Sequence, residues 1–504
     1  MPSAMNLCNM NKLSFLPLAA TILLCLPHAN ATTPTQLTNL PSVYLYTNNG
    51  ASIDHDTYVS GTITVVDAAH PENCMTDEPM QIRGRGNSTW RMDKKPYSIK
   101  LGTPSHFLGC PANAATWEFI ANYADKSMLR GATAFHLSEW IGLEFSPATA
   151  FADVYLNDKY IGNYHITDHM EIGTDRVPVE VQDASTTDNI TGGYFLEVDG
   201  WATSEPHYFT TNHDMPVTIH YPEKISSKQT RYIQSIVQGF ETKLFSSNFK
   251  DAEKGYRTAV DTVSLIKWYV AIELVGNPDA FWSTFMYKKK DNNRLFFGPM
   301  WDYDIAFNND NRLGDATKKT MREDAHNPKT WIQQLWKDEW FRHASNQCLK
   351  QWIKDGVEDE LCQYVDSMAN VLDASQAKNY ERWNVLSTRV YREVNLYNTY
   401  KEYVDYLKTY IHQRIIFLSE NFQAEDPYPT ETSTEQTKAE PFYYSAATHS
   451  LCFPTAKDRT ITIYSAGGAK LQTLQTQGTT AAIPDLPHAL YLIAADGELI
   501  KAVL

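Results

Sequence analysis

Three aspartates near the middle of the chain have a type and spacing that could bind cations or handle protons. Asp279 follows a predicted helix, and Asp302 and Asp304 follow a predicted hairpin. Aromatic residues surround all three, and buried carboxylates need partners, so a solvated surface explains them poorly. If their segment is extended, Asp302 and Asp304 point to the same side and offer the hard oxygens that suit Mg²⁺ carrying nucleotide phosphates. Asp279 could then position an acceptor hydroxyl or take its proton. A structural network of hydrogen-bonded aspartates is the alternative.

A second segment of interest is basic and contains two glycines. It runs Arg83-Gly84-Arg85-Gly86-Asn87-Ser88-Thr89-Trp90, and Lys94-Lys95-Pro96-Tyr97-Ser98-Ile99-Lys100-Leu101 follows it closely. The glycines let backbone approach a phosphate, and the arginines and lysines supply positive charge. A solvated basic hairpin explains the same composition. No G-x-x-x-x-G-K-[ST] sequence occurs, which excludes the commonest phosphate-binding loop.

A third charged segment lies between Trp117 and Arg130. Asp125 or Ser127 can cap the helix predicted to follow, which leaves the other charges on its first turn. On physical grounds alone this pattern favours a structural role.

The elements that must position these residues divide into a strand-rich front and a helix-rich back. Short strands are predicted from Val43 to Leu101, a helix between Trp117 and Leu143, and further strands from Ala152 to Tyr221. Helices dominate from Ser226 to Phe422, except for a hairpin between Phe285 and Asp304. This order predicts an α+β domain with two lobes, and a ligand site in the cleft between them.

The end of the chain predicts a linker and a second domain. Residues 423–441 are dense in Glu, Thr, Ser and Pro, as linkers are, and residues 442–504 contain strand patterns and a glycine turn. We therefore expect a small all-β domain at the C-terminus.

Length and composition limit the classes of function. The chain has 504 residues, of which 43% are hydrophobic and 12% aromatic, so we expect a folded protein of two or three packing units. The net charge of −15 opposes binding to nucleic acid, and no basic patch is large enough to overcome it.

The N-terminus predicts export. Lys12 precedes an apolar run from Leu13 to Leu26, and Ala29-Asn30-Ala31 fits the signal peptidase pattern, so residues 1–31 are predicted to be a signal peptide. The run is shorter than the roughly 20 residues that span a bilayer, and Pro17 interrupts it. We expect a mature protein without a transmembrane span, secreted or at the cell surface, with periplasm or outer membrane as further locations.

Cysteine usage agrees only weakly with export. Five cysteines follow residue 31, an odd number, so at least one thiol is expected to stay unpaired. His165 and His169 have no cysteine near them in sequence, which argues against structural zinc.

Five motifs in order resemble the spore coat protein H (CotH) family of atypical protein kinases. They cover roughly residues 43–422. The motifs are Arg83 to Leu101, then Ala121-Asn122-Tyr123 with Asp125-Lys126-Ser127 and Leu129-Arg130, then Tyr160-Ile161-Gly162-Asn163-Tyr164, then Gly192-Gly193-Tyr194-Phe195-Leu196-Glu197, and Trp301-Asp302-Tyr303-Asp304.

The resemblance implies a protein-kinase-like fold that binds ATP and Mg²⁺ and phosphorylates Ser or Thr hydroxyls of proteins. It implies that Asp279 is the catalytic-loop aspartate and that Asp302 is a metal ligand. The basic residues that it suggests for the phosphates are Arg83, Arg85, Lys95 and Lys100, followed by Lys126 and Arg130.

One departure from the family pattern concerns the second metal ligand. Family members commonly carry Asn-Asn shortly after the catalytic aspartate, where an Asn serves as second metal ligand, but this chain has Trp282-Ser283-Thr284. Ser283 could bind metal as a shorter, neutral oxygen ligand. Alternatively the site is degenerate, and the chain is a pseudokinase that acts as a cell-surface binding or scaffold module.

The C-terminal residues resemble the sorting domains of secreted proteins in the Bacteroidetes. The shared features are a strand, a glycine turn at Gly467-Gly468, and Leu486-Pro487 through Tyr491-Leu492. The resemblance implies export by the type IX pathway and contact with its machinery. An accessory β-sandwich is the alternative.

Overall fold

The structure is a computed structural model that describes residues 33–182, 190–422 and, with short gaps, 442–503. The predicted signal peptide and the predicted linker at 423–441 lie outside the described residues. In the described part, strands come first, helices follow, and further strands end the chain, which confirms the mixed α and β composition.

Seven strands of the first part close into a barrel in the order β1-β2-β3-β4-β5-β7-β6. Strands β1 and β6 pair in parallel, and every other pair in the barrel is antiparallel. The barrel core is apolar and includes Val43, Ile63, Ile82, Ile99 and Phe119. The strands are β1 (Ser42–Thr47), β2 (Val59–Val66), β3 (Met75–Gly84), β4 (Tyr97–Ser105), β5 (Ala114–Ile120), β6 (Ala150–Leu156) and β7 (Lys159–Asp168), with helix α1 (Arg130–Trp140) between β5 and β6.

A second sheet of five antiparallel strands follows, in the order β12-β11-β8-β10-β9. It contains the predicted hairpin, whose strands are β11 and β12. The strands are β8 (Tyr194–Val198), β9 (Tyr208–Thr210), β10 (Pro216–Tyr221), β11 (Thr284–Lys288) and β12 (Phe296–Phe297).

Helices pack with this sheet in one large apolar core. Helix α3 is at its centre and is buried from Leu265 to Val275 except at Lys267, as its largely apolar sequence requires. Helix α2 begins with a capping box between Ser226 and Gln229. The helices are α2 (Ser227–Leu244), α3 (Thr262–Val275), α4 (Met321–Asp324), α5 (Thr330–Leu335), α6 (Glu339–Lys354), α7 (Val357–Arg382) and α8 (Tyr400–Phe422).

The described residues after 441 form two small antiparallel sheets with a core of their own. One sheet has the order β13-β14-β17 and the other β16-β15-β18-β19. The strands are β13 (Tyr443–Ser445), β14 (Ser450–Cys452), β15 (Arg459–Ser465), β16 (Lys470–Thr476), β17 (Thr480–Ala482), β18 (Leu490–Ala495) and β19 (Glu498–Val503). The strands predicted for this end of the chain are therefore present.

The helix predicted between Trp117 and Leu143 is only half correct. Residues 114–120 form strand β5, and the helix begins at Arg130. Trp117 and Phe119 are two positions apart on the strand, and both are buried in the barrel. In the sequence, the helical spacing of the apolar residues after position 128 masked this two-residue period.

The five cysteines after residue 31 are all free thiols in the structure. None of the helices that the structure describes combines the length and the hydropathy needed to cross a bilayer.

Candidate functional site

A cavity of about 580 Å³ is lined by five of the candidate residues, namely Asp279, Asp302, Asp304, Arg85 and Ser283. Its walls come from the loop after β3, the loop after β5, the segment after α3 and the segment around Asp302. This volume lies within the usual range of ligand pockets, about 300–1,000 Å³.

Asp279 is placed at the cavity by the end of helix α3. The helix stops at Gly276, whose φ of 60° is left-handed. A Cβ atom there would lie 2.1 Å from Tyr410 Oη, so only glycine fits this turn. Three residues later the backbone N–H of Asp279 donates to Asn277 Oδ1 at 3.0 Å.

Asp302 and Asp304 both line the cavity, but their segment is not extended as predicted. Asp302 has a left-handed φ of 68°, and turns follow it. Asn277 Nδ2 donates to the carbonyl of Asp302 at 3.1 Å, so one asparagine fixes both the segment of Asp279 and that of Asp302. Sequence reasoning gave Asn277 no role, although it stands in the same Gly-Asn-Pro-Asp run as Asp279.

Ionisation of the two carboxyl groups is disfavoured in the cavity. Burial raises the pKa of Asp302; Arg85 opposes the rise and Asp279 adds to it. Asp302 is nevertheless exposed and lines the cavity. Burial also raises the pKa of Asp304, and the charges of Asp302 and Asp125 add to it. A cation at this end of the cavity would lower the electrostatic cost of ionising both groups.

The residues at the cavity suit Mg²⁺ that is held together with a bound nucleotide better than a metal ion that is held by protein ligands alone. Within the part of the chain that the structure describes, no three His, Cys, Asp or Glu side chains converge as a metal site. Mg²⁺ usually takes one or two carboxylates together with substrate phosphates and water, and Asp302 and Asp304 offer two.

Arg85 is the predicted phosphate-binding residue that the structure places in the cavity wall. Its Nε lies 2.7 Å from Glu118 Oε2, and its guanidinium is 5.7 Å from the centre of the Trp301 ring. Glu118 also bonds His169 Nδ1 at 2.6 Å and Ser98 Oγ at 3.1 Å. Burial alone would raise the pKa of Glu118, but Arg85 and His169 lower it. The ionised, buried Glu118 therefore orients Arg85.

Three other predicted phosphate-binding residues do not line the cavity. The Arg83 guanidinium lies over the Tyr58 ring, and Lys100 is exposed on β4. Lys95 donates to the carbonyl of Trp90 at 2.7 Å. Its neighbour Lys94 is at the cavity instead, with its ammonium group buried.

The two glycines of the basic segment have different tasks. Gly84 lies against Trp90, where a Cβ atom would come within 2.5 Å of the indole ring. Gly86 lines the cavity together with Asn87 and Ser88. The part of this segment from Arg85 to Thr89 is thus available to a ligand.

Lys126 and Arg130 have structural partners. Lys126 pairs with Glu393 and Arg130 with Asp125, and all four side chains are almost completely buried. Neither basic residue lines the cavity. The N-cap residue of α1 is Leu129, not Asp125 or Ser127 as predicted, but Asp125 accepts from the backbone N–H of Arg130 at 2.9 Å and so stabilises the first turn.

Ser283 lines the cavity and has a left-handed φ of 47°. Burial raises the pKa of Glu197 on strand β8, and His220, whose Nε2 is 2.7 Å away, and Ser283 oppose the rise. The hydroxyl group proposed to replace the family asparagine therefore lies near a carboxyl group of the protein.

Arg312 is a cavity residue that sequence reasoning missed. Two guanidinium nitrogens donate to the two carboxylate oxygens of Asp279, the second at 2.9 Å, and Nε donates to Asp310 at 2.9 Å. The side chain is 22% exposed. No local spacing links Arg312 to Asp279, because 33 positions separate them.

Two comparisons with known proteins bear on this site. The profile of the family described as "CotH kinase protein" matches residues 82–418, more than half of the chain. A search of curated proteins finds no match. The family profile spans every residue that lines the cavity. The chain therefore belongs to the CotH kinase protein family.

Proposed function

We propose that this protein is an ATP- and Mg²⁺-dependent protein kinase that phosphorylates Ser or Thr residues of secreted or surface proteins. The observation that carries the proposal is that Asp279, Asp302 and Arg85 line one cavity of nucleotide size. In this proposal the strand barrel and the helical part form the two lobes of a kinase-like domain, with the nucleotide between them.

Asp279 acts on the acceptor. Both its oxygens bond Arg312, yet each carboxylate oxygen has a second lone pair that can accept from a Ser or Thr hydroxyl. The hydroxyl oxygen forms a bond to the γ-phosphorus while the bond from phosphorus to the β–γ bridging oxygen breaks. ADP leaves with that electron pair, and the hydroxyl proton passes to Asp279. In a largely dissociative transfer, orientation of the hydroxyl matters more than strong basicity.

Arg85 and Arg312 supply positive charge at the transferred group. Glu118 holds Arg85, and Asp279 with Asp310 holds Arg312, so both guanidinium groups are oriented before a ligand binds. Preorganised charge of this kind stabilises the charge that develops on the phosphoryl oxygens. Asp302 and Asp304 would hold Mg²⁺, which neutralises phosphate charge when it is bound.

The test is transfer of labelled phosphate from ATP by the purified protein to itself or to a Ser/Thr-rich protein. We expect transfer by the wild type, and its loss in Asp302→Ala, because the cation then lacks a carboxylate. Lys100→Ala is the matched control, since Lys100 is exposed and away from the cavity. Transfer that survives Asp302→Ala would refute the assignment.

A pseudokinase scaffold is the second candidate. It is favoured by one contact, in which Arg312 donates to both carboxylate oxygens of Asp279. A scaffold predicts no phosphate transfer and no magnesium-dependent ATP binding by the folded protein.

We further propose that residues 1–31 direct export and that the C-terminal strands act in sorting by a type IX pathway. The support is the sequence pattern at the N-terminus and the presence of strands after residue 441. Fusion of residues 442–504 to a reporter tests this, and a reporter that stays inside a type IX-competent cell would argue against it.

A further inference from the structure

We propose that His55 is a positioning residue for nucleotide binding. In its doubly protonated form it holds residues 84–89 in place, the segment that carries Arg85. His55 lies in the loop between strands β1 and β2 and does not itself line the cavity. The inference rests on the proposed function and adds to it a dependence of nucleotide affinity on the charge of one histidine.

The backbone on both sides of Arg85 is tied to the loop of His55. The N–H of Gly84 donates to the carbonyl of Asp54 at 2.7 Å, and the carbonyl of Gly86 accepts from His55 Nε2 at 2.9 Å. Gly86 and the three residues after it line the cavity together with Arg85. The position of this part of the cavity wall therefore depends on a loop behind it.

Both ring nitrogens of His55 face acceptors. Nδ1 lies 2.6 Å from Asp56 Oδ1, and Nε2 faces the carbonyl of Gly86, which can only accept. To satisfy both contacts, the ring must have a proton on each nitrogen and therefore a positive charge. The centre of the Trp90 ring is 5.7 Å from that of His55, within the range at which an aromatic ring attracts a cation.

Loss of one proton from His55 makes the two acceptors compete for the proton that is left. The carboxylate of Asp56 is the stronger acceptor, because hydrogen bonds to an ionised group are roughly twice as strong as those between neutral groups. The neutral ring therefore keeps its proton on Nδ1, and the lone pair of Nε2 then repels the carbonyl of Gly86. We expect the segment to be held at low pH and released at high pH.

The other charged groups around His55 have partners of their own. Asp54 Oδ1 accepts from two backbone N–H groups of the loop, at 2.9 and 2.7 Å, and so fixes the turn. The ammonium group of Lys95 donates to the carbonyl of Trp90 and lies 5.3 Å from the centre of its ring. The side chain of Asp56 is 90% exposed, so its removal should leave the turn intact.

A second histidine contacts the same arginine by another route. His169 bonds Glu118, which holds the guanidinium group of Arg85. A change in the charge of His169 would also alter nucleotide affinity, so a pH effect in the wild type does not by itself identify His55. Substitution of Asp56 separates the two histidines, because it changes the proton balance of His55 and keeps the pair of His169 with Glu118.

The experiment measures affinity for a non-hydrolysable ATP analogue with Mg²⁺ by calorimetry at about pH 6 and about pH 8, the range in which histidine changes charge. His55→Gln places an amide that can donate to the carbonyl of Gly86 at either pH, whereas His55→Ala removes the donor. In Asp56→Ala, a neutral His55 is free to keep its proton on Nε2. Circular dichroism checks that each variant is folded.

We expect the affinity of the wild type to match that of His55→Gln at the lower pH and to approach that of His55→Ala at the higher pH. These two variants should differ about threefold to tenfold, the value of one hydrogen bond. The ratio of affinities at the two pH values should be smaller in Asp56→Ala than in the wild type. His70→Gln is the matched control and should keep the wild-type ratio, because His70 also faces a carboxylate, that of Glu72 at 3.5 Å, but does not line the cavity.

The possible failures are distinguishable. A wild-type ratio of affinities in Asp56→Ala, or equal affinities of His55→Gln and His55→Ala, would overturn the role of His55 and leave the proposed kinase function standing. Absence of analogue binding by the folded wild type at both pH values would overturn both.

Discussion

At the scale of single residues, the site is organised by pairs that the sequence does not reveal. Asp279 was predictable because it follows a helix among aromatic residues, but its partner Arg312 was not, since folding alone brings them together. The same holds for Arg85, which the sequence offered as one of several basic residues. Glu118, the residue that holds Arg85 at the cavity, drew no attention as an isolated acid in a strand.

The Arg312 pair leads to a kinetic prediction. Arg312→Ala should lower kcat for phosphate transfer by roughly a hundredfold, because a carboxylate displaced by about 1 Å no longer aligns the acceptor. The kcat of Arg312→Lys should lie between those of the wild type and Arg312→Ala, because lysine keeps the charge but cannot donate from two nitrogens at once. The measurement is steady-state kinetics, in which a positioning role appears mainly in kcat and only weakly in the KM for ATP.

Arg382→Ala is the control for loss of an arginine, as its side chain is on the exposed surface of α7. If Arg312→Ala transfers phosphate as fast as the wild type, Arg312 neither positions Asp279 nor assists the phosphoryl group. A faster variant would instead show that Arg312 restrains Asp279.

At the scale of elements, local sequence predicted what each segment is but not always where it starts. The end of α3 was readable from Gly276-Asn277-Pro278, because glycine and proline stop helices. The boundary between β5 and α1 was not, because buried aromatic residues run through both and their period changes within a few positions. The left-handed φ of Asp302 was also unreadable, since it depends on the contact from Asn277.

The turn after α3 can be tested by a double substitution. Gly276→Ala should destabilise the protein by several kcal/mol, because a new Cβ atom would meet Tyr410 Oη and a left-handed alanine costs about 1–2 kcal/mol. Adding Tyr410→Phe removes the clashing oxygen and leaves the ring carbon at 3.4 Å, an ordinary contact. The double variant should therefore regain the stability lost to the clash, but not the stability lost to backbone strain.

Urea unfolding of the two single variants and the double variant measures the coupling between these positions. Simple addition of the two free-energy changes would contradict the contact between Gly276 and Tyr410. Phosphate transfer by the double variant should approach that of the wild type, because Asp279 returns to its place.

At the scale of the whole molecule, the barrel was the least predictable feature. The strands were recognisable one by one, but closure depends on the parallel pairing of β1 with β6, about a hundred residues apart. Contacts between the barrel and the helices were equally hidden. Lys94 is such a contact, since it donates to the carbonyl of Asn163 on β7 and, at 2.9 Å, to Asn379 on α7.

Lys94 makes stability depend on pH. Burial lowers its pKa to about 7, whereas a lysine in the unfolded chain titrates near 10.4. Between these values the unfolded chain binds more protons, so stability from this group increases as pH rises from about 7 to about 10. The slope is at most about 1.4 kcal/mol per pH unit.

Lys94→Met should remove this slope. The free energies of unfolding of wild type and variant are compared in urea at pH 7 and pH 9.5, and their difference should shift in favour of the wild type at the higher pH. Parallel pH profiles for the two proteins would show that Lys94 is not buried as described.

The central claim is that the cavity takes a nucleotide together with Mg²⁺, and calorimetry of ATP binding tests it most directly. The wild type should bind ATP at least tenfold more tightly with Mg²⁺ than with a chelator present, which corresponds to about 1.4 kcal/mol. Asp302→Asn should lose that difference, because it removes a charged metal ligand while keeping the shape of the side chain. A folded wild type whose affinity for ATP is the same with and without Mg²⁺ would contradict the account.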